Sequence, residues 1–452
     1  MTTAAEATPA SRRGPAWSGL IPPRIRTSAY ARLYHGTLWS LAGTVAAQGS
    51  VVLASVLIAR LLGKEQFGAL AIVQNTAGVL GIFAGIGFGT TCTKYVAQLR
   101  TTDPERAGRI VGLSTAVTIL LAGLFAAVLL MAAPWLASNT LAAPKLAGEL
   151  RVASLLLFFT ALSGAQSGTL AGLEAFKNLA ALNLVRGVTA LPLSVAAAWL
   201  WGVRGAIWSL TAAAAVACIL GHIEVRRACS LAGIRITLAH GAAERSVVWH
   251  FSIPAALAGA MTGPALWIAY SILVHQPAGY GGMGAFNAAN QWRNAILFLP
   301  NVFSQPLLPV LSDLYGRQSP EFRRVLWTAM TVTASVSALI AIPIAFGAPW
   351  IMALYGPGFR SSWPALSLLA ASTTPAASCS VIGQAIAGSG HQWAGFSLNL
   401  LWASVLLGAT VLLTPRQGAI GLSEAILGAY ALHAVTVSVF TLLAVRHPGR
   451  RW

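Results

Sequence analysis

The sequence predicts an all-α polytopic membrane protein of about twelve transmembrane helices, arranged as two lobes of six around a central cavity, with both termini cytoplasmic. Three observations carry this expectation. Apolar residues come in blocks of about twenty, the length that crosses a hydrocarbon core of roughly 30 Å. Of the 452 residues only 9% are charged and 56% are hydrophobic, with a mean hydropathy of +0.70, which is too little charge to cover a soluble surface. The formal net charge of +18 is concentrated in short segments between the blocks, where Lys and Arg orient a membrane protein, so no nucleic-acid partner is read from it. Long Leu/Ala/Val/Ile runs also exclude a transmembrane barrel, whose strands alternate over about ten residues.

In chain order, residues 1–36 are polar, basic and rich in Ala, Ser and Pro, without the apolar core of a cleaved signal, and read as a disordered cytoplasmic tail. Hydrophobic spans follow at about 38–61, 67–90, 110–132, 151–173, 179–200, 203–221, 251–274, 284–308, 325–347, 362–386, 393–413 and 420–444. With the N-terminus inside, the cytoplasmic segments collect roughly twenty of the 29 basic residues, as the positive-inside bias requires. The longest central connection, 222–249, is a basic cytoplasmic linker between an N-terminal lobe, 37–221, and a C-terminal lobe, 250–445; a short basic tail, 446–452, closes the chain.

Six spans per lobe give both lobes the same orientation, so an internal repeat would be parallel. Phe67-Gly68-Ala69-Leu70 followed by Gln74-Asn75 aligns without gaps with Met283-Gly284-Ala285-Phe286 followed by Asn290-Gln291. Each stands at the start of the second helix of its lobe.

The eighth span, GAFNAANQWRNAILFLPNVFSQP from Gly284 to Pro306, is long enough to cross a bilayer yet polar on one side. At about 100° per residue, Asn287, Asn290, Gln291, Asn294, Asn301 and Gln305 share a face, with Arg293 on its flank. A guanidinium near the bilayer centre costs about 2.5–3.5 kcal/mol on insertion scales, so this helix should face protein or a wet cavity. Arg186, in the fifth span, is the other deeply placed arginine. Two readings apply to each: an anion contact, or a guanidinium bonded to carbonyls freed at a kink by nearby Pro192 or Pro300.

No Asp or Glu lies near the middle of any span, so arginines facing a shared cavity would make it attractive to phosphate or another anion. Carboxamides suit sugar hydroxyls because each offers donors and acceptors without net charge. Gln48, Gln74 and Asn75 in the first two spans extend that lining, unless they serve as interhelical hydrogen bonds.

Other chemistries find no support. Cys92, Cys218, Cys229 and Cys379 lie far apart, without disulfide or metal spacing. No GxxxxGK[ST] or HExxH motif occurs, external connections are short, and neither an enzyme nor a cofactor is read from the chain.

Several segments carry a family likeness. Gly36-Thr-Leu-Trp-Ser-Leu through Leu57-Ile-Ala-Arg60-Leu-Leu-Gly63-Lys-Glu65-Gln-Phe67-Gly68, then Gly85-Ile-Gly87 with Thr93-Lys94-Tyr95-Val96-Ala97, Asn290-Gln291-Trp292-Arg293, Leu354-Tyr355-Gly356-Pro357-Gly358-Phe359, and Gly388-Ser389-Gly390 with Asn399, resemble Wzx-type polysaccharide flippases of the multidrug/oligosaccharidyl-lipid/polysaccharide exporter superfamily. The resemblance runs over nearly the whole chain after the tail.

It implies a V-shaped pair of six-helix lobes around a central cationic cavity, alternating between inward-open and outward-open states in a bacterial cytoplasmic membrane. The implied cargo is an anionic oligosaccharide on undecaprenyl diphosphate, with polysaccharide polymerase and export proteins as candidate partners. Arg293 and Arg186 would meet the diphosphate or an acidic sugar, and the amides the glycan. A multidrug antiporter of the same superfamily and a non-transporting scaffold are the rival expectations. The missing intramembrane carboxylates count against the antiporter.

Overall fold

The computed structural model describes residues 28–85, 87–237, 261–304, 307–316, 321–389 and 392–446. Among them the chain is helical almost throughout: α1 (Ser28–Gly85), α2 (Phe88–Leu99), α3 (Pro104–Trp135), α4 (Ala147–Gly172), α5 (Phe176–Leu231), α6 (Thr262–Val274), α7 (Gly279–Ser304), α8 (Leu307–Gly316), α9 (Glu321–Phe346), α10 (Ala348–Leu354), α11 (Trp363–Gly388), α12 (Gln392–Gln417) and α13 (Ala419–Arg446). α1 already begins at Ser28, inside the stretch expected to be a tail. Residues 1–27, the second part of the expected linker (238–249), the first part of the seventh span and the final tail beyond Arg446 lie outside the described residues, while α5 runs on through the first part of that linker to Leu231.

Eight helical stretches are long and apolar enough to cross a bilayer. Two of them, 48–99 and Phe176–Leu231, are too long for a single crossing, since the second would extend about 84 Å if straight. The second is broken at Gly202, and the first at Gly63 and again at Gly87. At Gly63 the backbone takes φ 75° and ψ 174°, a conformation open to glycine and costly for a side chain. Ser55 and Phe67 flank that break, and both touch Tyr355, although a straight helix would hold them about 18 Å apart. α1 is therefore two helices folded back on each other.

α5 reverses in the same way at Gly202, where φ is 62°. Gly205 then lies directly against the carbonyl of Ala197, with no room for a Cβ. Between these hairpins α3 starts on a defined cap: the Asp103 carboxylate accepts from the Arg106 N–H at 2.9 Å, with Pro104 and Glu105 in the first turn.

Helices α1 to α5 pack mainly on one another, as do α6 to α13, and the two groups meet chiefly where the second limb of α1 lies along α7 and α6. The halves repeat in register. Gly63 and Gly279, Gly68 and Gly284, Gly172 and Gly388, Gly202 and Gly418, and Gly205 and Gly421 are each 216 positions apart. Their environments repeat too: Gly205 abuts the Ala197 carbonyl as Gly421 abuts that of Leu413. A Cβ on Gly172 would stand 2.9 Å from Cys92 O, and one on Gly388 would stand 3.4 Å from Leu308 O. Cys92 and Leu308 are themselves 216 apart, so the short echo seen in the sequence belongs to a register that runs through the whole fold.

Where spans were expected to end, helix continues. The second span breaks at Gly87, with φ 63°, and runs on as amphipathic α2, while α8 extends the eighth span similarly. The turn before α11 also holds more structure than a loop: α10 and a 3-10 segment, Pro357–Ser362, bracket Tyr355.

Candidate functional site

The halves touch most closely near one end of the seam. Gly68 and Gly284 interlock there: a Cβ on Gly68 would overlap the carbonyl of Tyr280, and one on Gly284 would overlap that of Lys64. Around them Lys64 Nζ donates to Ser362 Oγ at 3.2 Å, Arg60 Nε to Leu354 O at 2.5 Å, and Tyr280 Oη to Leu141 O at 2.7 Å. The rings of Phe67, Tyr355 and Phe359 fill the centre, with centroids 5.7–6.5 Å apart.

Beside this closure a cavity of about 360 Å³ opens between the halves. The second limb of α1 gives it Gln74, Asn75, Gly78, Val79 and Ile82, and α7 gives Asn287, Asn290, Gln291 and Asn294. Gly263, Leu266 and Tyr270 of α6 complete the wall. Burial falls along both long helices away from the glycine crossing. Asn287 is 7% exposed, Asn290 and Gln291 are half-buried, and Asn294 is exposed; opposite them, half-buried Gln74 and Asn75 lead to exposed Gly78 and Ile82. The cavity is closed at the Gly68–Gly284 end and widens toward Gly85.

Helical geometry explains why six carboxamides converge. Asn287, Asn290, Gln291 and Asn294 occupy one face of α7 at three- and four-residue spacing. α7 is also too polar to rank among the stretches apolar enough to span, despite its 26 residues. Asn75 Nδ2 donates to Ala71 O of its own helix at 2.8 Å, which leaves its carbonyl oxygen for the cavity.

Not all the candidate residues meet there. Arg293 is 7% exposed and turns into the second half, where Nε donates to Ser372 Oγ of α11 at 3.1 Å and the guanidinium carbon lies 5.0 Å from the centroid of the Tyr430 ring on α13. Its partners are thus a hydroxyl and an aromatic face; neither is a kink carbonyl. Arg186 is exposed on α5 and is not part of the cavity wall. Gln48 is half-buried on the first limb of α1, and Asn301 is exposed beyond the cavity; Gln305 lies outside the described residues.

Tyr270 had no sequence signal of its own, and Tyr355 had only its place in the segment 354–359. A signal was available by comparing the halves 216 residues apart. Arg293, Tyr270 and Tyr430 stand where the first half has Ala77, Ala54 and Ala214, so this cluster is an addition to one half of a repeated scaffold.

Two helical halves gripping one polar cavity, closed at one end and open at the other, define a membrane transporter. The chain belongs to the polysaccharide biosynthesis protein family, whose model matches residues 33–315. It is a multi-pass protein of the inner membrane and acts as a transporter in polysaccharide biosynthesis, not as an enzyme. It is 24% identical over 401 residues to the EPS I polysaccharide export inner membrane protein EpsE of Ralstonia nicotianae, covering 86% of this chain and 88% of that protein. It is 27% identical over 288 residues to the lipid III flippase of Escherichia coli K12, covering 62% and 68%. Among solved structures, the inward-facing conformation of a multidrug resistance MATE family transporter of the MOP superfamily superposes with a TM-score of 0.73 at 16% identity, over 88% of this chain and 94% of that one. At that identity the likeness is one of fold.

Proposed function

We propose that this protein flips an oligosaccharide linked to undecaprenyl diphosphate from the cytoplasmic to the outer leaflet by alternating access. The observation that carries the proposal is the convergence of amides from both halves on one cavity closed at a single end. Sugar hydroxyls find donors and acceptors there without paying for a buried charge. With both termini cytoplasmic, as the distribution of Lys and Arg favours, the glycine crossing faces outward and the cavity opens to the cytoplasm, the state that loads cargo.

Of the two deep arginines, Arg186 is the exposed one and lies outside the cavity wall, and we assign the diphosphate contact to it on that exposure and on the match of a guanidinium to phosphate oxygens. Arg293 ties α7, the amide-bearing helix, to α11 and α13. The cavity wall holds no carboxylate among the described residues, which disfavours export of organic cations.

The test is leaflet transfer. Protein reconstituted alone into liposomes with a fluorescent polyprenyl-diphosphate oligosaccharide in the inner leaflet should expose the label to a membrane-impermeant quencher, and Arg186→Ala should slow that exposure about tenfold or more, as expected for loss of a charge-assisted phosphate contact. No transfer by the wild type would favour a scaffolding role instead.

A further inference from the structure

The closed end of the cavity differs in charge from what deep arginines suggest. Its wall consists of six carboxamides, one phenol and apolar or glycine positions, with no ionisable Lys, Arg, Asp, Glu or His among them. The nearest candidate cation, Arg293, is turned into the second half and engaged with Ser372 and Tyr430. The amides also obey the internal repeat: Gln74 pairs with Asn290 and Asn75 with Gln291, each 216 positions apart, so two equivalent amides enter the cavity from each half. Asn287 and Asn294, equivalent to Ala71 and Gly78, add two more from the second half alone.

We propose that this carboxamide cradle is a specificity site for an uncharged sugar at the end of the glycan farthest from the lipid. The inference rests on the flippase reading and names the cargo more narrowly. Each carboxamide presents both an N–H pair and a carbonyl oxygen, matching a hydroxyl that donates and accepts. A carboxylate has nothing to offer the carbonyl oxygens and would surrender its hydration in a narrow site without a cation in contact, which is the costly case for a buried charge.

The size agrees. About 360 Å³ holds roughly a dozen waters, and so one or two pyranose rings. Gly78 and Gly263 leave the wall flat, while Val79, Leu266 and Ile82 supply apolar surface for the C–H faces of a ring. The repeat adds a physical reason for tolerance in orientation, because amides related by the pseudo-twofold present similar hydrogen-bonding groups to a ring from either side.

The experiment compares two short-chain polyprenyl diphosphate glycolipids that differ only in the terminal sugar, a hexose or the corresponding hexuronic acid, in competition binding to the purified full-length protein. The neutral glycolipid should bind about tenfold or more tightly than the uronate, the scale of discrimination that unmatched polar groups impose. Asn75→Asp combined with Gln291→Glu, near-isosteric but charged, should cost the neutral glycolipid about tenfold.

Equal or tighter binding of the uronate would overturn the inference, with Arg293 then acting through the wall. So would an unchanged affinity in the double variant. The wild-type comparison needs no variant to fold. Leaflet transfer separates this from the broader reading: neutral preference without transfer sinks the flippase and keeps the cradle, whereas transfer of both glycolipids with equal affinity sinks the cradle and keeps the flippase.

Discussion

Gly68 and Gly284 face each other across the seam between the two halves, so close that a methyl on either would enter the backbone of the opposite helix. They are equivalent positions of the repeat, and their contact is where the pseudo-twofold axis passes through the closed end. At that contact backbone meets backbone, and parting the halves must also break the side-chain bonds beside it, Lys64 to Ser362, Arg60 to Leu354 O and Tyr280 to Leu141 O.

Gly68→Val should therefore open this end. Backbone overlap leaves no flexible group to yield, and overpacking of this kind costs typically 1–3 kcal/mol. Ser362, 7% exposed beside Lys64, reports on the closure. A Ser362→Cys protein purified in detergent should react slowly with a bulky maleimide, and adding Gly68→Val should raise that rate about tenfold or more. Equal rates would mean that the glycine crossing does not hold this end shut.

Tyr355 should act as the second element of the closure. Its ring is fully buried against Phe67 and Phe359. Trp292 Nε1 donates to its hydroxyl at 3.1 Å; the hydroxyl lies 3.1 Å from Ser55 Oγ, which itself donates to Val52 O at 2.8 Å. That chain joins α7, one residue beyond Gln291 of the cavity, to the first half. Tyr355→Phe keeps the ring and removes the link, leaving the indole N–H of half-buried Trp292 without this partner, at a cost of about 1 kcal/mol. The variant should lower the melting temperature and raise Ser362→Cys labelling. Tyr355→Phe with wild-type labelling and stability would assign the closure to the glycines alone.

Much of this was legible in the sequence because it follows from periodicity. The amide face of α7 needs only 100° per residue, and the reversals at Gly202 and Gly418 fall where apolar blocks end. The direction of Arg293 was not legible. It stands roughly 60° from the amide stripe, so whether it joins the cavity depends on Ser372 and Tyr430, which come from helices about 80 and 140 positions away. Neither residue has a pattern that announces an arginine. Continuation of the second span as α2 was equally hidden, since Thr and Lys there end the hydrophobic run without ending the helix.

The Asp103 cap offers a control away from the site. Asp103→Ala removes the carboxylate that accepts from Arg106 N–H and should cost about 1 kcal/mol, seen as a lower melting temperature. Glycolipid binding should be unchanged, because α3 contributes nothing to the cavity wall. A binding defect would show that the first half transmits its stability to the cavity.

Arg293 should matter for transport while touching no cargo. The first half builds the same helical packing with Ala77, Ala54 and Ala214 where the second has Arg293, Tyr270 and Tyr430, so the fold does not require the cluster. What the guanidinium does is fix the angle of α7: one hydrogen bond to α11, one ring face on α13, and the amides projecting from the adjacent surface. A guanidinium can stack on Tyr430 and donate to Ser372 together because it is planar and forked, whereas an ammonium keeps the charge and one contact at most. Arg293→Ala should abolish surface polysaccharide at a near-normal level of protein in the membrane, and Arg293→Lys should restore part of it. Tyr430→Leu, which removes the ring and spares the charge, should fall between them. Full polysaccharide from Arg293→Ala would reduce the residue to packing, while rescue by lysine equal to wild type would show that charge alone, without the geometry at Ser372 and Tyr430, is what the second half gained.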